Sequence, residues 1–208
     1  MKKLFILLSL CLVVGSARAK VTLPAIFTDN MVLQQKTQVT LYGKAAAGKK
    51  MTVTTGWDHE QYRFHSDAEG NWSVRIPTPE AGGPFDITIS DGKKITLRNI
   101  LIGEVWFCSG QSNMEMPVAG WGKVLNYEQE VAAADYPCIR LFQVKKATSL
   151  APAADVASTM GGWQECSPAS VPEFSALGYF FARRLWQELG IPVGVIDCTW
   201  GGTPAEAW

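Results

Sequence analysis

Histidine is almost missing from this chain. Two occur in 208 residues, His59 and His65, and none follows residue 65. With so few imidazoles, and no cysteine pair at ligand spacing, no metal centre is expected. No cofactor motif is complete either. An excess of one charge sign is also lacking, because 19 basic residues balance 19 acidic ones. A nucleic-acid surface or an acidic polymer is therefore not an expected partner. Low-complexity segments are absent. One long apolar run exists, residues 4–14, and it is too short to span a bilayer comfortably.

That run has a context. Lys2 and Lys3 precede it, and Ala17-Arg18-Ala19 follows as a small-x-small cleavage site. Residues 1–19 read as a signal peptide, with a mature chain starting near Lys20 in the periplasm or outside the cell, free of the membrane. Leu10 stands before Cys11, where lipoprotein processing needs a small residue, so no lipid anchor is expected. Cys108, Cys138, Cys166 and Cys198 then remain, and four cysteines allow three full pairings. Cys108 and Cys198 each end an apolar run and read as buried free thiols. Oligomeric state is not legible.

Between residues 20 and 101 the pattern is short β-like runs, at 39–42, 51–55, 72–76, 85–89 and 95–97. Gly43, Gly48, residues 67–70, Gly82-Gly83-Pro84 and Asp91-Gly92 separate them. Close-spaced strands with Gly and Asp turns predict an antiparallel β-sandwich. Residues 43–50 nearly spell a phosphate-binding loop. However, Lys50 stands where Ser or Thr is required, and a strand follows instead of a helix, so a hairpin turn is expected.

From residue 102 the grammar changes. Residues 104–108 form a strand, 127–134 a short helix, and 174–189 a longer one. Leu177, Phe181, Leu185 and Leu189 recur every four residues along it, and Gly190 and Pro192 stop it. Residues 192–198 make a second apolar strand. Strand, helix and strand predict a crossover and a parallel sheet, the start of a doubly wound α/β domain. Residues 147–172 are rich in Ala, Ser and Pro and are expected to be loop.

The first of these strands runs into Cys108-Ser109-Gly110-Gln111-Ser112-Asn113-Met114-Glu115. A strand ending in a tight Gly-containing turn leaves a serine hydroxyl at the carboxyl edge of the sheet, where open α/β folds place chemistry. Taken alone, Gly-x-Ser is most often a plain turn. Nor is this the Gly-x-Ser-x-Gly elbow, because Met114 occupies the last glycine position. The second strand runs into Cys198-Thr199-Trp200-Gly201-Gly202-Thr203-Pro204. Two glycines there let the backbone approach a substrate and point an N–H into the crevice.

The Ser-Gly-Gln-Ser-Asn-Met-Glu heptad resembles the first block of the SGNH (GDSL-like) hydrolases, in the form carried by sialate O-acetylesterases and related carbohydrate acetylesterases. The Gly201-Gly202 stretch is similar to their second block. Residues 23–35, 67–72 and 82–84 resemble the β-domain that precedes the catalytic domain in bacterial members. The resemblance implies three segments: a signal at 1–19, a β-sandwich at 20–101 and a partial SGNH-type (flavodoxin-like) α/β domain at 102–208. It implies an exported acetylesterase with an acetylated sugar as substrate. Ser112 would be the nucleophile, and Gly202 or Gly201 an oxyanion donor beside the serine N–H. Gln111 and Asn113 would line the oxyanion or substrate site.

In that family an Asp-x-x-His near the carboxyl end of the domain supplies the base, and no histidine occurs between 102 and 208. The expectation is the amino-terminal portion of a longer enzyme, inactive as given. The competing expectation is a carbohydrate-binding or adhesion module that keeps the fold without the chemistry. Expressed in a bacterium with its own leader, the protein should be cut between Ala19 and Lys20 and recovered outside the cytoplasm. Mass spectrometry of its amino terminus checks this, and an intact Met1 on cytoplasmic protein would refute it.

Overall fold

A computed structural model describes residues 20–204 and 206; the signal expected at 1–19 lies outside the described residues. Strands β1 (Val32–Gln34), β2 (Gln38–Lys44), β3 (Lys50–Thr55), β4 (Gln61–His65), β5 (Asn71–Pro77) and β6 (Gly82–Ser90) come first. β7 (Lys94–Gly110) follows, with 17 residues. Then come helices α1 (Ser112–Glu115) and α2 (Tyr127–Ala132), strands β8 (Tyr136–Gln143) and β9 (Gln164–Cys166), helix α3 (Ala176–Leu189) and strand β10 (Val193–Thr199). The fold is mixed and sheet-rich, with few helices.

Two sheets share one core on the amino-terminal side. β2 pairs antiparallel with β5 alone, while β4, β3, β6 and β7 form an antiparallel run in that order. Alternation explains the burial: Leu41, Trp72 and Ile76 from the small sheet meet Met51, Val53, Ile87 and Ile89 from the large one. Residues 45–49 do not close a hairpin as expected. They carry the chain from β2 in one sheet to β3 in the other.

β7 then continues without a break into the second half. Its early residues pair with β6, its middle residues Leu101 to Gly103 take β1 in parallel, and Glu104 onward pairs in parallel with β10. β10 takes β8 on its other side, again in parallel, and β9 closes the row antiparallel. The change of grammar expected near residue 102 thus falls inside one continuous strand. β9 also sits inside the segment expected to be loop, and β8 is an element that the sequence pattern had not singled out.

The junction is sealed by polar side chains. Gln34 and Gln35 donate to the two Glu104 oxygens at 3.2 and 2.8 Å, and Gln34 accepts from the Val105 N–H at 2.9 Å. Arg140 on β8 is 2 % exposed and donates to the carbonyls of Asn30, Asn99 and Pro137. Glu165 on β9 lies 3.4 Å from it. Burial pulls the Arg140 pKa down, against the pull of Glu165, but guanidinium remains charged at any ordinary pH.

α3 has the expected period but buries a different face. Its core contacts are Ala176, Gly178, Tyr179 and Ala182, whereas Leu177 and Leu189 are each 50 % exposed and Phe181 36 %. Small residues let the helix lie close to β10: a Cβ on Gly178 would touch Val195 at 3.4 Å. Of the bulkier stripe Leu185 packs against the core, whereas Leu177 and Leu189 face outward and Phe181 stacks edge-on against half-exposed Trp106 at 5.0 Å. The four described cysteines are free; Cys108 is buried as expected, and Cys198 is only half-buried.

This choice of face has a measurable consequence. Leu177→Ala should change unfolding free energy by no more than about 0.5 kcal/mol, whereas Tyr179→Ala should cost about 3 kcal/mol or more. Urea unfolding of residues 20–208 distinguishes the two, and equal losses would refute this packing.

Candidate active site at the β7 and β10 strand ends

Parallel pairing brings the ends of β7 and β10 level, with Thr199 opposite Gly110. The Trp200 N–H extends the register by donating to the Gly110 carbonyl at 2.9 Å. Both loops therefore leave the sheet side by side. On the β7 side, Gln111 caps the single turn of α1, its carbonyl accepting from the Met114 and Glu115 N–H groups at 2.9 and 2.8 Å. Gln111, Ser112 and Asn113 are all solvent-exposed. Among the described residues the Ser112 hydroxyl reaches only the Gln111 side-chain oxygen, at 3.5 Å.

On the β10 side, Gly201 lies against the serine. A Cβ placed on it would fall 3.6 Å from both Cα and Cβ of Ser112 and 2.6 Å from a Glu115 carboxylate oxygen. Gly202 is exposed and adopts φ +78°, which favours glycine. The Gly201 N–H donates to Glu115 Oε2, and Lys146 pairs with Glu115 Oε1. Gly202 has no such partner for its N–H among the described residues. The turn closes through the Thr203 hydroxyl, which donates to the Trp200 carbonyl at 2.6 Å.

Beneath this surface the serine turn is braced. Ser175 caps α3 by accepting from the Gly178 N–H at 3.0 Å and donates its hydroxyl to the Met114 carbonyl at 2.6 Å. The Ala176 N–H holds the Met116 carbonyl at 2.8 Å. Asp197 is 1 % exposed on β10 and accepts from Gln143 Nε2 at 3.0 Å and from the Thr199 hydroxyl at 2.7 Å. Burial pushes its carboxyl above the ordinary range, the bonds from Gln143, Thr199 and the Ser175 backbone resisting, and the Glu115 charge adding to the rise.

The sequence-predicted residues Gln111, Ser112, Asn113, Gly201 and Gly202 all fall at these two strand ends. Glu115, Lys146, Ser175 and Asp197 had not been singled out. Glu115 sits inside the serine motif, and Asp197 is a lone acid in an apolar strand, so both left a signal.

The two histidines are elsewhere. His65 ends β4 and lines a cleft of about 630 Å³ with Tyr42, Asp67 and Trp72. His59 lines another cleft together with Asn99 of β7. From Asn99 to Gly110 the strand travels roughly 35 Å at about 3.3 Å per residue, so His59 is remote from Ser112. Among the described residues no group of three His, Cys, Asp or Glu is arranged to hold a metal ion.

The family model described as carbohydrate esterase, sialic acid-specific acetylesterase, matches residues 102–208. A sialate O-acetylesterase of Rattus norvegicus is 30% identical over 201 residues, 88% of this chain and 36% of that protein. One of Homo sapiens is 31% identical over 199 residues, 86% of this chain and 37% of that protein. Among solved structures, a carbohydrate acetylesterase from Xanthomonas citri superposes with a TM-score of 0.83 at 36% identity, over 91% of this chain and 42% of that one. The chain thus spans little more than a third of the length of the curated relatives it matches.

Asp197 provides a pH test. Its folded pKa lies above the ordinary carboxylate value of about 3.9, so between the two the folded state holds the extra proton. The stability this supplies is complete below the unfolded pKa and is lost as pH rises through the folded one. Asp197→Asn should therefore gain stability relative to the parent as pH rises. Unfolding curves from roughly pH 3 to 8 measure the difference, and parallel pH profiles would refute it.

Proposed function

The chain belongs to the sialic acid-specific acetylesterase family of carbohydrate esterases, and we propose that Ser112 is the nucleophile with which it removes acetyl groups from a sugar. The observation that carries this reading is the placement of an exposed serine at a parallel strand end, with the backbone of Gly201 packed against it. The Ser112 oxygen attacks the acetyl carbonyl, its proton passes by way of water to the departing sugar oxygen as that bond breaks, and water then hydrolyses the acetyl-serine to free acetate and serine. Backbone N–H groups of Ser112 and of the second-strand turn steady the oxyanion. Gln111 and Asn113, exposed on either side of the serine, line the substrate approach. The names of the relatives support an acetylated sugar as substrate; a purely binding role finds no support among them.

Within the same proposal the part before residue 102 is an antiparallel sandwich, the part after it opens a doubly wound SGNH-type sheet, and the protein is exported. No histidine occurs between 102 and 208; His59 lies beside Asn99, and His65 pairs with Lys50 toward the Lys94 end of β7, the end away from the serine. Attack and deacylation in residues 20–208 therefore proceed without an imidazole, and turnover is slow. An activated acetyl ester such as 4-nitrophenyl acetate should leave acetyl on Ser112 faster than it is released. Peptide mass spectrometry reads this adduct. In Ser112→Ala it should disappear while the fold persists. Acetylation spread over surface lysines, or unchanged by Ser112→Ala, would refute the nucleophile assignment.

A further inference from the structure

We propose that Glu115 is a positioning residue that fixes the second-strand turn and thereby makes Gly202, and not Gly201, the backbone donor to the oxyanion. The proposal rests on Ser112 as nucleophile. Two hydrogen bonds join the β10 turn to the serine turn: Trp200 N–H to the Gly110 carbonyl, at 2.9 Å, and Gly201 N–H to Glu115 Oε2. The second consumes the Gly201 donor. A donor engaged by a carboxylate is not free to meet a developing oxyanion, because the carboxylate is the stronger, charged acceptor. The next donor along the chain is the Gly202 N–H. It belongs to an exposed residue in left-handed conformation, and no described group takes it.

The carboxylate is itself held. Its side chain is only 15% exposed, it rides on the turn three residues after Ser112, and Lys146 from the loop after β8 neutralises its other oxygen. Lys146 also sits over the Trp200 ring, 5.9 Å from its centroid. One ion pair therefore ties together the ends of β7, β8 and β10. A donor must be in place before charge develops if it is to lower the barrier. Glu115 supplies that preorganisation from within the motif that carries the nucleophile.

The test uses residues 20–208 and two measurements. In Glu115→Ala the Gly201 amide should lose protection and exchange with solvent at least about tenfold faster, while amides in the β7–β10 ladder stay protected. The limiting rate of Ser112 acetylation by 4-nitrophenyl acetate should fall by about tenfold to a hundredfold. The ester concentration at half-saturation should stay within about twofold, because the bond acts on the transition state and not on ground-state binding. A neutral replacement, Glu115→Gln with Lys146→Met, keeps an acceptor for the Gly201 N–H and should restore both readings; it also separates lost positioning from lost folding. Glu115→Ala with parental acetylation rate and parental Gly201 protection would overturn the proposal alone. A parent chain that takes no acetyl on Ser112 would overturn the nucleophile reading, and this proposal with it.

Discussion

Everything at the candidate site depends on one continuous strand. β7 spends its first half in an antiparallel sheet and its second half in a parallel one, and the strand itself is unbroken although its register against β6 shifts between residues 97 and 102, where Asn99 is left-handed. From Glu104 onward the strand is paired to β10 residue by residue, and bending it there would break N–H and carbonyl pairs, each costly to leave unmade when buried. The sheets on both halves of β7 therefore fix the direction in which Gly110 leaves the strand, and with it the position of Ser112. β1, Gln34, Gln35 and Arg140 reinforce this at the middle of β7, where both halves contribute side chains to one polar seam.

From that fixed strand, order at the site passes through short polar links. Asp197 holds Gln143 and Thr199, the Ser175 hydroxyl holds Met114, and Glu115 holds Gly201. Each link ties one strand end or helix cap to the next, so the serine turn is constrained from below and from the side. A buried carboxylate such as Asp197 is a poor source of net stability, since desolvation opposes its bonds. Its value lies in geometry, because it accepts from β8 and from its own strand's end at once.

Much of this was legible in the sequence, and the misses have physical reasons. Glycine and aspartate turns, alternating runs and the Gly190 stop announced strand-rich and helical regions correctly. The serine motif and the Gly-Gly turn are legible through their resemblance to a known family, because taken alone such tight turns at strand ends are most often plain turns. The hairpin expected at 43–50 is absent because turn chemistry does not reveal whether the flanking strands join one sheet or two. The buried helix face differs from the expected one because bulk does not decide burial here. Ala176, Gly178 and Ala182 win the contact with β10 by being small, leaving Leu177 and Leu189 outside. β8 was overlooked for want of flanking turn signals, although Ile139, Leu141 and Phe142 are fully buried in it.

The separation of the histidines from the serine divides the chemistry cleanly. In the proposed reading the parallel strand ends hold the nucleophile and the backbone donors, which are the parts that must be rigid. No histidine occurs between 102 and 208 to stand beside them. For a serine hydrolase stripped of its proton-transfer groups, the oxyanion site and binding alone retain about 10³–10⁴ over the reaction in water. His59, beside Asn99, is separated from that site by roughly 35 Å of strand. In the proposed reading, the rate at which residues 20–208 acetylate Ser112 therefore weighs the oxyanion site and binding apart from an imidazole base.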